Sequence, residues 1–276
     1  MKSSMQKTVA WPSARFMACA LGWLIASACA SGPGPKEIKD AEIHYDLGVT
    51  DLREGKLKEA LADLLESARL NPESAMVQFA LGSVYYFLGD FAQSITHYQK
   101  ALELKPDYDE ARANLGRVYI TQHRYQEAVP LLEKALEYVF LPERYLAESN
   151  LGWAKFQIGE QEEGLKLVRD ALAKNEKFCV GYEYLGLMYQ ARKDYEHAVS
   201  ELSTFIKYCP QAMQGYLELG RAQLMKGDDR AGCSSLDTCR HRHRMTEIGQ
   251  ECERLYQLSC AEIPTSPHGA PKKPTG

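Results

Sequence analysis

Several common marks of catalysis are missing from this chain. It has no G-x-G-x-x-G, no G-x-x-x-x-G-K-S/T, no H-E-x-x-H, no C-x-x-C and no G-x-S-x-G. The dinucleotide turn, phosphate loop, zinc-protease helix, redox pair and nucleophile elbow are therefore all lacking. Positive charge is scarce too, with 33 Lys and Arg against 37 Asp and Glu and a formal net charge of −4. A nucleic-acid partner calls for a large basic field, which this composition does not supply. Long apolar runs are rare, and a mean hydropathy of −0.39 excludes a polytopic membrane protein. What remains is 276 residues of ordinary globular composition, 45% hydrophobic, 25% charged and 10% aromatic. That excludes a wholly disordered or collagen-like chain and allows one or two compact domains. The expectation is a protein that is no enzyme, with no cofactor, no small-molecule substrate and no nucleic-acid partner.

The one apolar stretch lies at the N-terminus. Lys2, Lys7 and Arg15 form a positive region without an acid, and Phe16 to Ala28 follows with 13 uncharged residues. A membrane span needs about 20 residues, so this stretch is short for one and suits the apolar part of an export signal. Removing residues 1–28 takes the formal charge from −4 to −7. The stretch ends Leu24-Ile25-Ala26-Ser27-Ala28-Cys29, and small residues before a cysteine resemble the bacterial lipobox. The resemblance implies cleavage before Cys29 and acylation of that residue. The alternatives are an unlipidated signal cut near Ala28 or Ala30, a mitochondrial presequence, or a buried N-terminal helix. Ala30 and Ser31 follow, with no Asp, and in enterobacterial sorting that implies the periplasmic face of the outer membrane. Three acyl chains anchor far more firmly than one marginal chain.

With Cys19 and Cys29 set aside, Cys179, Cys209, Cys233, Cys239, Cys252 and Cys260 remain, all in the C-terminal half. In an oxidising compartment an even set of this kind suggests disulfides, and free buried thiols are the alternative. Cys233, Cys239, His241 and His243 could be drawn as a zinc site, but their spacing is not that of a usual finger and oxidised cysteines cannot bind zinc. No metal is expected. Arg240-His241-Arg242-His243-Arg244 reads as a solvated helix C-terminus, where cations suit the dipole, or as a contact to lipid phosphate or a partner. Glu162-Glu163 and Asp228-Asp229 read as helix starts.

A repeat runs through the rest. Leu-Gly recurs at Leu47-Gly48, Leu81-Gly82, Leu115-Gly116, Leu151-Gly152, Leu185-Gly186 and Leu219-Gly220, with glycine spacings of 34, 34, 36, 34 and 34. A small residue stands 12 positions after each glycine: Ala60, Ser94, Ala128, Gly164, Ala198 and Gly232. Pro72, Pro106 and Pro210 close three units, and Gly55, Gly89, Gly159 and Gly227 mark turns. This is the tetratricopeptide pattern.

Each unit is expected to be two antiparallel helices, A and B. The leucine packs in the core, and the glycine meets the small residue where the helices cross. Proline, lacking an N–H, stops helix B. One unit cannot bury its own apolar face, so units stack. The fold class is all-α, a right-handed superhelical solenoid of six repeats over 41–245 with a capping helix over 246–262. Residues 1–28 are the signal, 29–40 a lipidated tether, and 263–276, with four prolines, a disordered tail.

The repeat register also predicts a concave groove. Its expected lining is Tyr45, Val49, Phe79, Ser83, Tyr86, Phe87, Arg117, Ile120, Trp153 and Phe156, with Asn114 and Asn150 placed to bond a ligand backbone. Glu183, Gln190, Arg221 and Leu224 extend it with a more mixed set. Large exposed apolar patches tend to be binding sites, although some rings could pack on neighbouring repeats instead. Tyr45 and Phe79 stand where the carboxylate clamp of chaperone-cochaperone repeats has polar residues. The expected ligand is therefore an apolar or strand-like segment.

For the cysteines, Cys179 precedes helix A of the fifth repeat and Cys209 ends its helix B, and antiparallel packing brings those ends together. Cys233 and Cys239 lie on helix B of the sixth repeat, with Cys252 and Cys260 on the cap. A hairpin turning near Thr246 would pair Cys239 with Cys252 and Cys233 with Cys260.

A signal and lipobox followed by six tetratricopeptide repeats resemble the pilotin lipoproteins of type IV pili, the PilF/PilW/Tgl family. Two details add to this: Asn114-Leu115-Gly116, and the lengthened junction Tyr138-Val139-Phe140-Leu141-Pro142-Glu143-Arg144-Tyr145 ahead of Asn150-Leu151-Gly152. The family's cysteine near Tyr119 and Ile120 is absent, and the six C-terminal cysteines lie outside the family's general pattern. The resemblance implies a lipoprotein that binds secretin subunits, accompanies them to the outer membrane and promotes their multimerisation. The alternative is a general scaffold lipoprotein, for example in outer-membrane protein insertion.

Overall fold

The structure, a computed structural model, describes residues 33–242 and 244–260. All regular structure among the described residues is helical. The helices are α1 (Pro35–Arg53), α2 (Leu57–Leu70), α3 (Ala75–Phe87), α4 (Phe91–Leu104), α5 (Asp109–Thr121), α6 (Tyr125–Leu136) and α7 (Arg144–Gln157). They continue with α8 (Gln161–Lys174), α9 (Cys179–Ala191), α10 (Tyr195–Tyr208), α11 (Met213–Lys226), α12 (Asp229–Arg242) and α13 (Glu247–Cys260). The fold is a solenoid of six helix pairs closed by α13. No described helix is long and apolar enough to cross a membrane. The expected signal over 1–28, Cys29, His243 and the tail over 263–276 lie outside the described residues. The first helix begins at Pro35, so residues 35–40, read above as tether, are helical. Proline there costs no hydrogen bond, because the first N–H groups of a helix have no partner within it.

Local chemistry sets the helix ends. Ser74, Asp90 and Asp194 accept hydrogen bonds from the N–H groups of Val77, Gln93 and His197 at 3.4, 3.1 and 3.3 Å. Each satisfies a donor that the helix leaves open. The three B helices α2, α4 and α10 end at Leu70, Leu104 and Tyr208, two residues ahead of Pro72, Pro106 and Pro210. Between A and B helices the chain turns through a left-handed residue, and four of these are Gly55, Gly89, Gly159 and Gly227 at φ 75°, 79°, 103° and 89°. In the third and fifth pairs the same place holds His123 at φ 58° and Lys193 at φ 62°.

Within a pair the helices cross at the paired small residues. A Cβ on Gly152 would lie 2.7 Å from the carbonyl oxygen of Gly164, and one on Gly164 would lie 2.6 Å from that of Gly152. Backbone thus meets backbone, and no side chain could yield. The leucines before the repeat glycines, Leu81, Leu115, Leu151, Leu185 and Leu219, are buried. Leu47 departs from the expectation and is 50% exposed, because no described helix packs on that side of α1. The capping helix seals the other end: Leu217, Cys233, Leu236, Cys239, Cys252 and Cys260 form its core, with Leu255 and Tyr256 packed on it.

Candidate partner-binding cleft

The first helices of successive pairs, α3, α5, α7 and α9, border a cleft of about 400 Å³. Helix α3 contributes Phe79 and Tyr86, one on either side of its glycine. Helix α5 lines it along most of its length, from Glu110 through Asn114 and Arg117 to Ile120 and Thr121. Helices α7 and α9 offer their N-terminal halves, with Leu146, Ala147 and Asn150 from the first and Val180 and Tyr184 from the second. The stretch between α6 and α7 closes one side with Leu141, Pro142 and Glu143.

Ring contacts between repeats set the geometry. The guanidinium carbon of Arg117 lies 4.2 Å from the centroid of the Tyr86 ring. The Tyr86 hydroxyl is 3.4 Å from Oγ1 of Thr121, which fixes the ring between α3 and α5. Phe79 packs on Tyr108 and Tyr98, with centroids 5.0 and 5.8 Å away. The Tyr184 hydroxyl donates to Oδ1 of Asn150 at 3.4 Å. Burial pushes the Tyr184 phenol well above its usual range, and Glu183 adds to this while Arg117 opposes it. Tyr98 is also raised, chiefly by burial, with Ser83 and Arg117 opposing. Both rings therefore stay neutral hydrogen-bonding groups at any physiological pH.

The expected groove residues separate into groups. Phe79, Tyr86, Asn114, Arg117, Ile120 and Asn150 meet in the cleft. Ser83 does not line it: it is buried and its hydroxyl bonds the Tyr98 hydroxyl at 3.0 Å. Phe156 is only 6% exposed and belongs to the core beneath. Trp153 packs between the two central cores and stacks on Tyr184. Tyr45 and Val49 pack on the core of the first two pairs, and Tyr45 borders a separate recess between α1 and α3. Phe87 is exposed and lies edge-on to Tyr86, 5.6 Å between centroids.

Sequence reasoning missed what the lengthened junction presents. Val139 and Phe140 are 75% and 80% exposed, and the Tyr138 and Phe140 rings meet edge-on at 6.0 Å. This apolar tip directly precedes Leu141 and Pro142 of the cleft wall. Three apolar residues in a row within an interhelical turn were the available signal. The cleft-lining Leu146, Phe178 and Val180 were missed as well, because they lie before the part of each helix that the glycine register addresses.

With this geometry described, comparison with known proteins places the fold. Residues 73–139 match one profile of the tetratricopeptide repeat, and residues 113–177 match a second. The chain carries tetratricopeptide repeats. It is 27% identical over 161 residues to the type IV pilus assembly protein PilF of Pseudomonas aeruginosa, covering 58% of this chain and 63% of that protein. It is also 27% identical over 170 residues to a DnaJ homolog subfamily C member 7 homolog of Schizosaccharomyces pombe, covering 56% of this chain and 36% of that one. The chain thus spans less than two thirds of the length of these curated relatives. Among solved structures it is similar to PilW, described as a widely conserved type IV pilus biogenesis factor, with a TM-score of 0.68 and 17% identity. That match covers 76% of this chain and 97% of the other. The Pseudomonas aeruginosa pilF structure matches with a TM-score of 0.63 and 20% identity over 80% and 99% of the two chains. These likenesses show the fold.

The last two tetratricopeptide repeats and the cap carry these six cysteines. The structure joins Cys179 to Cys209, Cys233 to Cys260 and Cys239 to Cys252, with Cα separations of 6.0, 5.7 and 6.0 Å. The first links the start of α9 to the residue after α10, and the other two tie α12 to the cap. Cys233 and Cys239 are therefore not thiolates available to a metal. The basic run after them ends α12 as expected, with His241 and Arg242 exposed in its last turn, and only Arg240 departs from that reading. Arg240 is not a solvated end: it pairs with Asp237 and Glu253 at 2.7 and 2.9 Å and lies 4.1 Å from the Tyr256 ring centroid. Arg242 reaches the Tyr216 hydroxyl at 2.9 Å. Arg240 thus packs against the cap, while Arg242 stays exposed and contacts α11 only through Tyr216.

Proposed function

We propose that this chain is an outer-membrane pilotin lipoprotein, anchored on the periplasmic face through acylated Cys29. In this reading it binds secretin subunits and promotes their localisation and multimerisation for type IV pilus function. The observation that carries the binding role is the aromatic cleft between α3, α5, α7 and α9, with Phe79, Tyr86 and Tyr184 on its walls and the exposed Phe140 tip beside it. An apolar recess that crosses several rigid repeats suits an extended polypeptide. The pilus assignment draws on the printed roles of PilF and PilW, whose structures align with this chain over nearly their full lengths.

A second reading is a general scaffold lipoprotein in another envelope complex, such as outer-membrane protein insertion. It is favoured by the equal identity to a DnaJ homolog, a relative without a pilus role in its name.

A deletion strain of the source organism, probed for heat-resistant secretin multimers on a denaturing gel, tests the first reading. Loss of multimers with subunits still present supports it, whereas a normal multimer band contradicts it. Mass spectrometry of the mature N-terminal peptide tests the anchor: an acylated Cys29 is expected, and an unmodified peptide starting elsewhere would sink that part.

A further inference from the structure

The cleft contains a cation without an ion-pair partner. Arg117 lines it from the middle of α5 and has no carboxylate partner among the described residues. Its Nε is buried and makes no hydrogen bond. Other partly buried arginines are treated differently: Arg112 pairs with Asp109, Arg144 with Glu148, Arg221 with Glu218 and Glu251, and Arg240 with Asp237 and Glu253. A half-buried guanidinium costs free energy unless its donors are met. At Arg117 the Tyr86 face meets part of that need. Arg117 also acts on the neutral Tyr98 phenol beneath it by hydrogen bond and charge, and on Tyr184 across the cleft by charge, so neither partner supplies an anion.

The cleft also holds two acids, Glu110 and Glu143. They stand at the N-terminal ends of α5 and α7. At about 1.5 Å of rise per residue, Glu110 lies roughly 10 Å along α5 from Arg117. They leave Arg117 unpaired and make the cleft electrically polar, acidic at one end and cationic in the middle.

From this we infer that the cleft takes an extended peptide segment with a single aspartate or glutamate seated on Arg117 and apolar side chains on either flank. The inference rests on the reading of the cleft as the partner site and adds the chemistry of the ligand. A guanidinium offers a planar pair of N–H donors that matches a carboxylate. Asn114, one helical turn before Arg117, and Asn150 on α7 stand where an extended main chain would need donors and acceptors. Phe79, Ile120, Phe178 and Tyr184 supply the apolar walls. A nucleic-acid strand fits poorly, because one cation beside two acids cannot neutralise a run of phosphates.

Selection of a random dodecapeptide phage library on the full chain tests this, followed by synthesis of the recovered peptides. The expected peptides carry one Asp or Glu between apolar residues. Replacing that acid by its amide should weaken binding at least about tenfold, as expected for a charge-assisted pair. The same replacement should have little effect on binding to Arg117→Gln, and an intermediate effect on Arg117→Lys. Circular dichroism and melting of both variants confirm that they are folded, and the acid-to-amide comparison on the wild-type chain decides the case if one is not. Recovered apolar peptides without an acid, weakened by Phe79→Ala, would overturn this inference and leave the cleft as the partner site. An acid-to-amide loss that persists undiminished in Arg117→Gln would overturn it too. Failure to recover any peptide that competes at the cleft would overturn both.

Discussion

The indole of Trp153 stacks on the phenol of Tyr184, with ring centroids 4.9 Å apart and planes 15° apart. Tyr184 faces the cleft and Trp153 lies behind it, joined to Phe156 on its other side at 6.5 Å. Trp153 therefore supports a wall of the cleft and packs on the cores of both neighbouring repeats. Trp153→Ala should lower the unfolding free energy by about 3 kcal/mol, within the range for large-to-small aromatic changes. Urea unfolding followed by circular dichroism measures this. A loss of a few tenths would mean that the indole is a free surface ring, as the repeat register alone suggests.

The left-handed turns offer a second test. Lys193 and His123 occupy positions where four other repeats place glycine, and both have positive φ. An L-residue in that region costs about 1 kcal/mol relative to glycine. Lys193→Gly should thus stabilise the chain by about 0.5–1 kcal/mol. His123→Gly should gain less, since His123 also bonds the Tyr125 hydroxyl at 2.7 Å. Thermal melts of the two variants check the order, and a lower melting temperature for Lys193→Gly would contradict it.

Glu183 gives a test in pH. Burial, reinforced by Glu218, raises its pKa from the ordinary 4.5 to about 7. Glu218 is raised as well, mainly by burial, with Arg221 opposing and Glu251 adding to the rise. A carboxyl raised in the fold favours its protonated form there, so its penalty is absent below about pH 4.5 and complete above about pH 7. Stability should fall as pH rises through that window. Glu183→Gln should melt higher than the wild type near pH 8, and the gap should close near pH 4. Equal gaps at both values would mean that Glu183 ionises freely in the fold.

The repeats were legible because a glycine recurs wherever the A helix crosses its B helix. It lies against the side chains of Tyr98, Leu132 and Leu202 at Gly82, Gly116 and Gly186, and against backbone at Gly152. Gly152 and Gly164 show this, since neither position tolerates a Cβ. The cleft was legible where α5 lines it along most of its length, at Asn114, Arg117 and Ile120. It was less so on α7 and α9, which meet it with their N-terminal halves. There Asn150 and Tyr184 face inward, while Trp153 and Phe156, one and four residues after the α7 glycine, turn to the core. A constant offset from the glycine cannot follow that change. Leu47 fails for a different reason, since burial of a repeat leucine needs a neighbour that the sequence of one repeat does not encode.

The central claim is that the cleft around Phe79 and Tyr86 is where a protein partner binds. Isothermal titration of the secretin subunit from the same organism into wild type, Phe79→Ala and Tyr86→Ala tests it most directly. Truncating a central aromatic anchor often costs about 2 kcal/mol or more, or roughly a 30-fold rise in Kd. Each variant should show a rise of that order while retaining wild-type helical content. Unchanged Kd values in both folded variants would contradict the account.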